Sequence, residues 1–173
     1  MKAYRLAGWT QGGHYVEVEQ PKPGAGEVLI RVGGAGICHS DPHILHEWSP
    51  EVMPALREIE PDFTLGHENA GWIENVGAGV QGWDLGQAVV VSPVWSCGHC
   101  AACRAGDDAY CEKSAGVSGG LGRDGGLASH MVAPARALVA IEGLEPSEAA
   151  PLTDAGLTSY HAVKRSLDVL TPD

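Results

Sequence analysis

The stretch EVLIRVGGAGICHSDPH, residues 27–43, joins a strand-like pattern to an isolated cysteine. Residues 27–36 continue a polar–apolar alternation and end in glycines, which predicts a β-strand with a break at its carboxyl end. Cys38 follows that break at a distance from the other four cysteines of the chain. The pattern therefore predicts a β structure in which Cys38 lies just beyond the end of a strand.

The segments around this stretch extend the same interpretation to most of the chain. With 24 glycines and 11 prolines in 173 residues, the composition suits many short strands joined by tight turns. Apolar residues at helical spacing appear only near the carboxyl end and predict two helices there. We therefore expect strands in residues 14–20, 27–36, 69–80 and 87–95, paired strands in 126–141, a loop with one helical turn in 47–63, and helices in 145–152 and 154–167.

Charge and leader signals restrict the classes of function. The net charge is −11 and no basic block interrupts it, so the surface should repel nucleic acid and anionic lipid, although acidity also serves solubility alone. The amino terminus shows no signal-peptide pattern, and no apolar run is long enough to span a bilayer. We therefore expect a cytoplasmic protein, whose reduced thiols are better suited to metal than to disulfides.

Four cysteines lie within fifteen residues, in CGHCAACRAGDDAYC, residues 97–111. Two-residue spacers let a tight loop direct successive sulfurs inward, and a fourth sulfur on the returning chain can close a tetrahedral shell. A complete four-sulfur shell leaves no open position, so the metal would be structural. Buried thiols, disulfides and an iron–sulfur cluster are the alternatives, of which the cluster can use related spacings. The predicted zinc ligands are Cys97, Cys100, Cys103 and Cys111.

Cys38 and the downstream His67 form a second candidate set of ligands. One sulfur and one imidazole supplied by distant segments fit a catalytic zinc that keeps a position open for water or substrate. A buried cysteine and an unrelated surface histidine would give the same residues. The four-cysteine cluster elsewhere in the chain favours the zinc interpretation.

Four motifs together resemble the amino-terminal, catalytic part of zinc-dependent medium-chain alcohol dehydrogenases. They occur in that family's order and at its distances, and the resemblance covers essentially the whole chain. It implies a mainly β, GroES-like, partly open β-barrel with a zinc-binding lobe around residues 95–113 and helices at the carboxyl end. The motifs are GICHSDPH (36–43), LGHENAG (65–71), SCGHCAACRAGDDAYC (96–111) and APLTDAGLTSYHAV (150–163).

The resemblance also implies roles for individual residues around a catalytic zinc. It assigns Cys38 and His67 to the metal and places the third protein ligand at Asp154, where many members of the family have cysteine and some bacterial members have aspartate. A carboxylate is an acceptable zinc ligand. Asp41 matches an acid that orients the histidine ligand, and Glu68 matches an acid close to the metal; for both, a solvated surface charge is the alternative.

A proton relay is implied by the same resemblance. The hydroxyl of Ser40 would receive the proton of the substrate, and His43 would pass it towards water through the cofactor ribose. His43 could equally be an exposed loop histidine. His39 lies where the family often contacts the cofactor phosphates.

The cofactor-binding part of the family is not visible in this sequence. Its G-x-G-x-x-G fingerprint would follow a strand that starts after Asp173, and the glycine-rich segment 119–126 is better read as a loop near the zinc-binding lobe. We therefore expect residues 1–173 to be one GroES-like catalytic domain without the dinucleotide-binding domain. A truncated form, a shortened gene product and a single-domain descendant all remain open.

Two functional hypotheses follow. The first is the catalytic domain of an NAD(P)-linked enzyme with two zinc ions, which interconverts small alcohols with aldehydes or ketones and which could form homo-oligomers. The second is a zinc-stabilised binding or structural module, or a hydrolytic zinc site, without redox activity.

Overall fold

The computed structural model describes residues 1–114, 117–167 and 169, and these residues form a strand-rich domain. Within these described residues, four α-helices span Ser40–His46 (α1), Ala101–Ala105 (α2), Pro146–Ala149 (α3) and Ala155–Ser166 (α4). Short 3₁₀ helices lie at Pro54–Glu58, Asp108–Tyr110, Ala135–Ala137 and Ala150–Leu152. The strands are Lys2–Leu6 (β1), Gly13–Glu17 (β2), Glu27–Gly36 (β3), Glu68–Val76 (β4), Ala88–Val91 (β5), Ser118–Gly119 (β6), Gly122–Arg123 (β7), His130–Pro134 (β8) and Leu138–Ala140 (β9).

The central structure is a five-stranded antiparallel sheet in the order β8-β3-β4-β5-β9. Among the described residues, the edge strands β8 and β9 pair only inward, so the sheet is not closed, as expected for a partly open barrel. The prediction of a mainly β structure is confirmed. The sheet is stabilised by a core that includes Val28, Ile30, Ile73, Val89 and Met131, each at most 1% exposed. Burial of one such side chain contributes about 1.5–3 kcal/mol.

The predicted pairing of strands within residues 126–141 is wrong. The segment does contain two strands, but β8 pairs with β3 and β9 pairs with β5. The connecting 3₁₀ helix Ala135–Ala137 is not a two-residue hairpin turn, and it directs the chain to the opposite edge of the sheet. A local alternation pattern identifies strands but does not reveal which neighbour satisfies their backbone hydrogen bonds.

The other expected elements are present with shifted bounds. The predicted helical turn in the 47–63 loop is the 3₁₀ helix Pro54–Glu58, and the two carboxyl-terminal helices appear as α3 with its 3₁₀ extension and as α4. The strand β1 was not predicted; it forms a hairpin with β2. The part of the chain that the structure describes contains no helix long and apolar enough to cross a membrane.

The apolar residues of α4 are not buried. Leu157, Tyr160 and Val163 are 50%, 64% and 58% exposed. The helical period was therefore predicted correctly, whereas the core that such a period usually indicates is not present among the described residues around α4.

Candidate metal centres

The lobe predicted to bind zinc, residues 95–113 and called the zinc-binding lobe below, brings its four cysteines together. The sulfurs of Cys97, Cys100, Cys103 and Cys111 lie within 4.8 Å of one another. Cys100 and Cys103 lie 3.4 Å apart at sulfur, with Cys103 on α2. Backbone N–H groups donate to two of the sulfurs, from Cys97 to Cys111 Sγ (3.3 Å) and from Cys100 to Cys97 Sγ (3.4 Å). Such donors stabilise thiolates, which are the form that binds zinc.

The pKa values of two thiols in this lobe shift in opposite directions. The backbone N–H of Cys97 lowers the pKa of Cys111 to about 6. Burial and the neighbouring thiol of Cys100 raise the pKa of Cys103 to about 12. Four thiolates cannot share so small a volume without a cation, and a divalent ion would relieve this repulsion. The donor set therefore fits a closed tetrahedral zinc shell.

Asp108 connects the zinc-binding lobe to the barrel. One carboxylate oxygen accepts hydrogen bonds from the hydroxyl of Ser96 (2.5 Å) and from Arg136 Nη2 (2.7 Å), and Arg136 lies on the connection between β8 and β9. Hydrogen bonds with the Ser96 hydroxyl and the Cys103 thiol, together with the Arg136 guanidinium, lower the pKa of Asp108. Sequence reasoning missed Asp108 and Arg136 because only the fold places them next to each other.

The second group, hereafter the open cluster, consists of Cys38, His67 and Asp154. Its donor atoms lie within 4.8 Å of one another. Asp154 Oδ2 lies 3.3 Å from His67 Nε2 and 3.6 Å from Cys38 Sγ. Cys38 follows β3, His67 precedes β4, and Asp154 is the residue before α4. One sulfur, one nitrogen and one oxygen converge here, and no fourth protein ligand joins them among the described residues, which is the arrangement of a catalytic zinc site.

Asp41 supports the open cluster from α1. Its carboxylate accepts the backbone N–H of Cys38 at 2.8 Å and lies 3.4 Å from His67 Nδ1. Burial opposes a charge on the imidazole, but the Asp41 carboxylate and the Cys38 thiol outweigh it and raise the pKa of His67 to about 9. Both nitrogens of this buried ring lack a hydrogen-bond partner among the described residues, so a cation in place of the proton would satisfy Nε2.

Glu68 lies next to His67 of the open cluster, and its side chain accepts a hydrogen bond from the backbone of Ala155. The side chain is 2% exposed, and Oε1 accepts the N–H of Ala155 at 2.8 Å, immediately after Asp154. A Cβ on Gly36 would meet the other carboxylate oxygen, so glycine is required there for Glu68 to fit. This contact holds the first residue of α4 in place and with it the position of Asp154.

The residues expected in the proton relay lie on or beside α1. Ser40 Oγ is 3.8 Å from Cys38 Sγ, whereas His43 lies one helical turn further and contacts Glu47 through Nδ1 at 2.7 Å. His39 is exposed, and its ring packs edge-on against that of His43 with centroids 4.8 Å apart. The structure thus places Ser40 at the open cluster and His43 with His39 further towards solvent.

The glycine-rich segment 119–126 packs against the open cluster. Gly120 has a φ of 82°, and a Cβ there would lie 2.3 Å from the carbonyl oxygen of Gly66, the residue before His67. The N–H of Gly126 donates to the same oxygen at 3.0 Å. The loop also reaches the zinc-binding lobe, because Arg123 shares a surface cavity with Cys97. The sequence predicted a loop near the zinc-binding lobe here; the segment instead contains the end of β6 and all of β7. Its contact with the segment that carries His67 was not predicted.

An apolar cavity of about 130 Å³ lies beside α1 and the 47–63 loop. Ile44, which contributes to it, lies one helical turn beyond Ser40, and Leu121 contributes from the glycine-rich segment. The remaining side chains of the lining are apolar, apart from the indole N–H groups of Trp9 and Trp48. The other lining residues are Trp9, Trp48, Met53, Ala55, Leu56, Ile59, Phe63 and Gly122.

Comparison with known proteins agrees with this geometry. The model of the alcohol dehydrogenase GroES-like domain family matches residues 24–143, and the chain belongs to that family. The chain is 37% identical to the NAD-dependent alcohol dehydrogenase of Saccharolobus solfataricus over 97% of its own length and 49% of that protein.

Two solved structures show the same likeness. The alcohol dehydrogenase of Aeropyrum pernix has a TM-score of 0.86 and 36% identity, and the match covers 99% of this chain and 50% of that one. A cobalt- and zinc-bound thermostable alcohol dehydrogenase of Pyrobaculum aerophilum has a TM-score of 0.82 and 34% identity, covering 96% and 49% respectively. The chain therefore spans about half the length of the relatives it matches, and the resemblance to zinc-dependent alcohol dehydrogenases is confirmed.

Proposed function

We propose that residues 1–173 form the catalytic domain of a zinc- and NAD(P)-dependent alcohol dehydrogenase, with the zinc-binding lobe at residues 95–113. The reaction would interconvert small alcohols with aldehydes or ketones, and two zinc ions would bind per chain. The observation that supports this most directly is the convergence of Cys38, His67 and Asp154 within 4.8 Å. The nicotinamide cofactor would be held by a dinucleotide-binding domain of the kind that the family carries.

The zinc ions proposed for the two clusters would have different roles. Zinc in the open cluster would supply Lewis acidity to a substrate oxygen, while zinc bound by the four cysteines would stabilise the lobe. Cys38 and Asp154 bring two negative charges to the open cluster, which match a dication when His67 is neutral. Asp41 orients His67, and Glu68 holds the start of α4 so that Asp154 keeps its place.

Proton removal is assigned to residues of α1. Ser40, whose oxygen lies 3.8 Å from Cys38 Sγ, would accept the proton of the alcohol, and His43 would pass it to water. His39 at the exposed start of α1 would donate to the cofactor phosphates. A hydroxyl followed by an imidazole suits this task because the imidazole exchanges protons with solvent near neutral pH.

The apolar cavity supports a substrate with an uncharged apolar substituent. Ile44 and Leu121 connect the cavity to the segments that hold Ser40 and His67. Polyols would leave their hydroxyl groups without partners there. Benzyl alcohol should therefore perturb the methyl resonances of Ile44 and Leu121 in the zinc-loaded chain, whereas glycerol should not. Equal perturbation by both compounds would contradict the apolar substrate class.

The proposal also includes the location of the protein, its partners and its oligomeric state. The five cysteines are free, and all five need to be reduced to bind zinc at the two proposed sites, which supports a cytoplasmic location. The net charge of −11 disfavours nucleic acid and membrane partners. Exposed Leu157, Tyr160 and Val163 on α4 support self-association into homo-oligomers, which sedimentation at several protein concentrations would detect.

Zinc analysis tests the central proposal. The parent chain should bind two zinc ions and Cys38→Ala should bind one, because the alanine cannot supply a ligand to the open cluster. His46→Ala is the matched control, since His46 lies on the same helix α1 but is exposed and outside both clusters. A parent that binds a single zinc, retained fully by Cys38→Ala, would remove the catalytic metal site and with it the proposed function.

A further inference from the structure

His43 is held by three neighbours, although a third of its side chain is exposed. Glu47 Oε2 lies 2.7 Å from Nδ1, with side-chain exposures of 33% for His43 and 62% for Glu47. Trp48 stacks on the imidazole with centroids 6.1 Å apart and planes 8° from parallel, and His39 meets its edge. The stack and the hydrogen bond together restrict the rotation of the ring, so its two nitrogens face different surroundings.

The contact between Glu47 and His43 determines which nitrogen carries the proton. An ionised carboxylate only accepts hydrogen bonds, so Nδ1 must be the donor in this pair. The neutral ring then has a bare Nε2, which can accept a proton. In water, without such a partner, a histidine side chain favours the opposite tautomer, in which Nε2 carries the hydrogen.

Glu47 lies at the carboxyl end of α1, where its negative charge is unfavourable. Glu47 is the C-cap residue of α1, where a negative charge is unfavourable because the last carbonyl groups of the helix carry partial negative charge. The contact with His43, four residues earlier, offsets that cost. Among the described residues, the titratable groups recorded against the His43 ring are the Glu47 carboxylate and the His39 imidazole.

We propose that Glu47 is a positioning residue that holds His43 in its Nδ1–H tautomer and leaves Nε2 free to accept the relayed proton. The step is balanced: Nε2 of the neutral ring takes up one proton, the Glu47 carboxylate faces the resulting imidazolium, and Nε2 then returns the proton to water. This inference rests on the relay role proposed for His43, and it adds a residue that the sequence motifs did not indicate.

Nitrogen NMR of the zinc-loaded chain tests the tautomer directly, without substrate or cofactor. In long-range ¹H–¹⁵N spectra at alkaline pH, the His43 ring of the parent should report mainly Nδ1–H. Glu47→Ala should shift the tautomer ratio towards Nε2–H by about fivefold, the scale expected for a partly exposed ion-paired hydrogen bond. Glu47→Gln should retain the Nδ1–H form, because its amide oxygen still accepts a hydrogen bond.

The chain contains its own control pair. Glu74 Oε2 lies 3.2 Å from Nε2 of His130, so that contact engages the opposite ring nitrogen. Glu74→Ala should change the ring signals of His130 and leave those of His43 unaltered, and Glu47→Ala should do the reverse. Unchanged backbone amide spectra would show that each variant is folded.

The outcomes separate this inference from the proposed function. A parent His43 in the Nε2–H form, or a ratio that Glu47→Ala does not change, would overturn the role of Glu47 while leaving zinc binding untouched. Conversely, a chain with the expected tautomer but without zinc in the open cluster would overturn the proposed function. The effect of Glu47 on the tautomer of His43 would still stand.

Discussion

The zinc-binding lobe and the open cluster gather their ligands over very different lengths of chain. The lobe takes all four sulfurs from residues 97–111, whereas Cys38 and Asp154 of the open cluster are 116 positions apart. Backbone N–H groups inside the lobe donate to its sulfurs, while the open cluster depends on carboxylates from two other elements, Asp41 on α1 and Glu68 on β4. The lobe is therefore organised locally, and the open cluster exists only when the barrel is folded.

The difference predicts that the two proposed zinc ions contribute differently to stability. A metal bound by ligands within one short loop contributes its binding energy to folding that loop. A metal bound by segments that the sheet already holds together contributes less to folding and leaves a coordination position for chemistry.

Removal of one sulfur from the zinc-binding lobe should have the largest effect. Cys111→Ser opens the four-sulfur shell, and structural zinc contributes on the order of 10 kcal/mol in small zinc domains. We expect loss of one zinc and a large decrease in thermal stability, measured by elemental analysis and circular dichroism. Cys38→Ser is the matched control: it should lose one zinc with a small change in melting temperature. Equal destabilisation by both variants would contradict the proposal that the two zinc ions contribute differently to stability.

Replacement of Asp154 should empty the open cluster with little effect on the fold. Asp154→Ala removes one of three protein ligands, so zinc affinity should fall by more than the 10–100-fold typical of an outer-shell partner. Asp154→Cys should restore binding, since thiolate is a good zinc ligand. Cobalt substitution provides the readout, because a second thiolate should strengthen the sulfur charge-transfer absorption. Full retention of cobalt by Asp154→Ala would show that Asp154 is not a ligand.

A substitution in the glycine-rich segment should disturb the open cluster indirectly, through the contact of this segment with Gly66. Gly120→Ala would force a Cβ to within 2.3 Å of the Gly66 carbonyl oxygen and should destabilise the protein by about 2 kcal/mol or more. Gly79→Ala is the control, because Gly79 has a similar φ of 79° but nothing within 4 Å of the added atom.

Comparing the two alanine variants separates the steric clash from the backbone strain that both share. Denaturant unfolding should show a larger loss for Gly120→Ala, and zinc retention should fall in the open cluster while the lobe keeps its metal. Equal losses in the two variants would mean that the loop does not press on the segment carrying His67.

Weakening of the contact between the zinc-binding lobe and the barrel should have the smallest effect. Asp108→Asn removes the charge that binds Ser96 and Arg136 and also contacts Cys103. We expect about a tenfold decrease in the zinc affinity of the lobe, at the low end for an outer-shell partner. Chelator competition measures this decrease. Asp107→Asn, at the neighbouring acid, should match the parent, and an equal decrease there would point to a general charge effect.

The local features of this chain were readable from its sequence. The alternation in residues 27–36 matches β3, and the helical spacing near the carboxyl end matches α4. The spacing of the four cysteines indicated a common site, because two-residue spacers restrict where successive sulfurs can lie. Each of these signals depends on residues within about fifteen positions, where the backbone itself limits the geometry.

The long-range arrangement depended on the tertiary structure. Strands β8 and β9 lie on opposite edges of the sheet because backbone hydrogen bonds are satisfied by distant partners, which alternation does not encode. Three side-chain contacts likewise appear only in the folded chain. Glu68 contacts the start of α4, Asp108 contacts Arg136, and Glu47 contacts the His43 imidazole. The sequence determined which groups are available for zinc and proton chemistry; packing of the barrel decided which of them meet, because side chains far apart in the chain are oriented only by the elements that carry them.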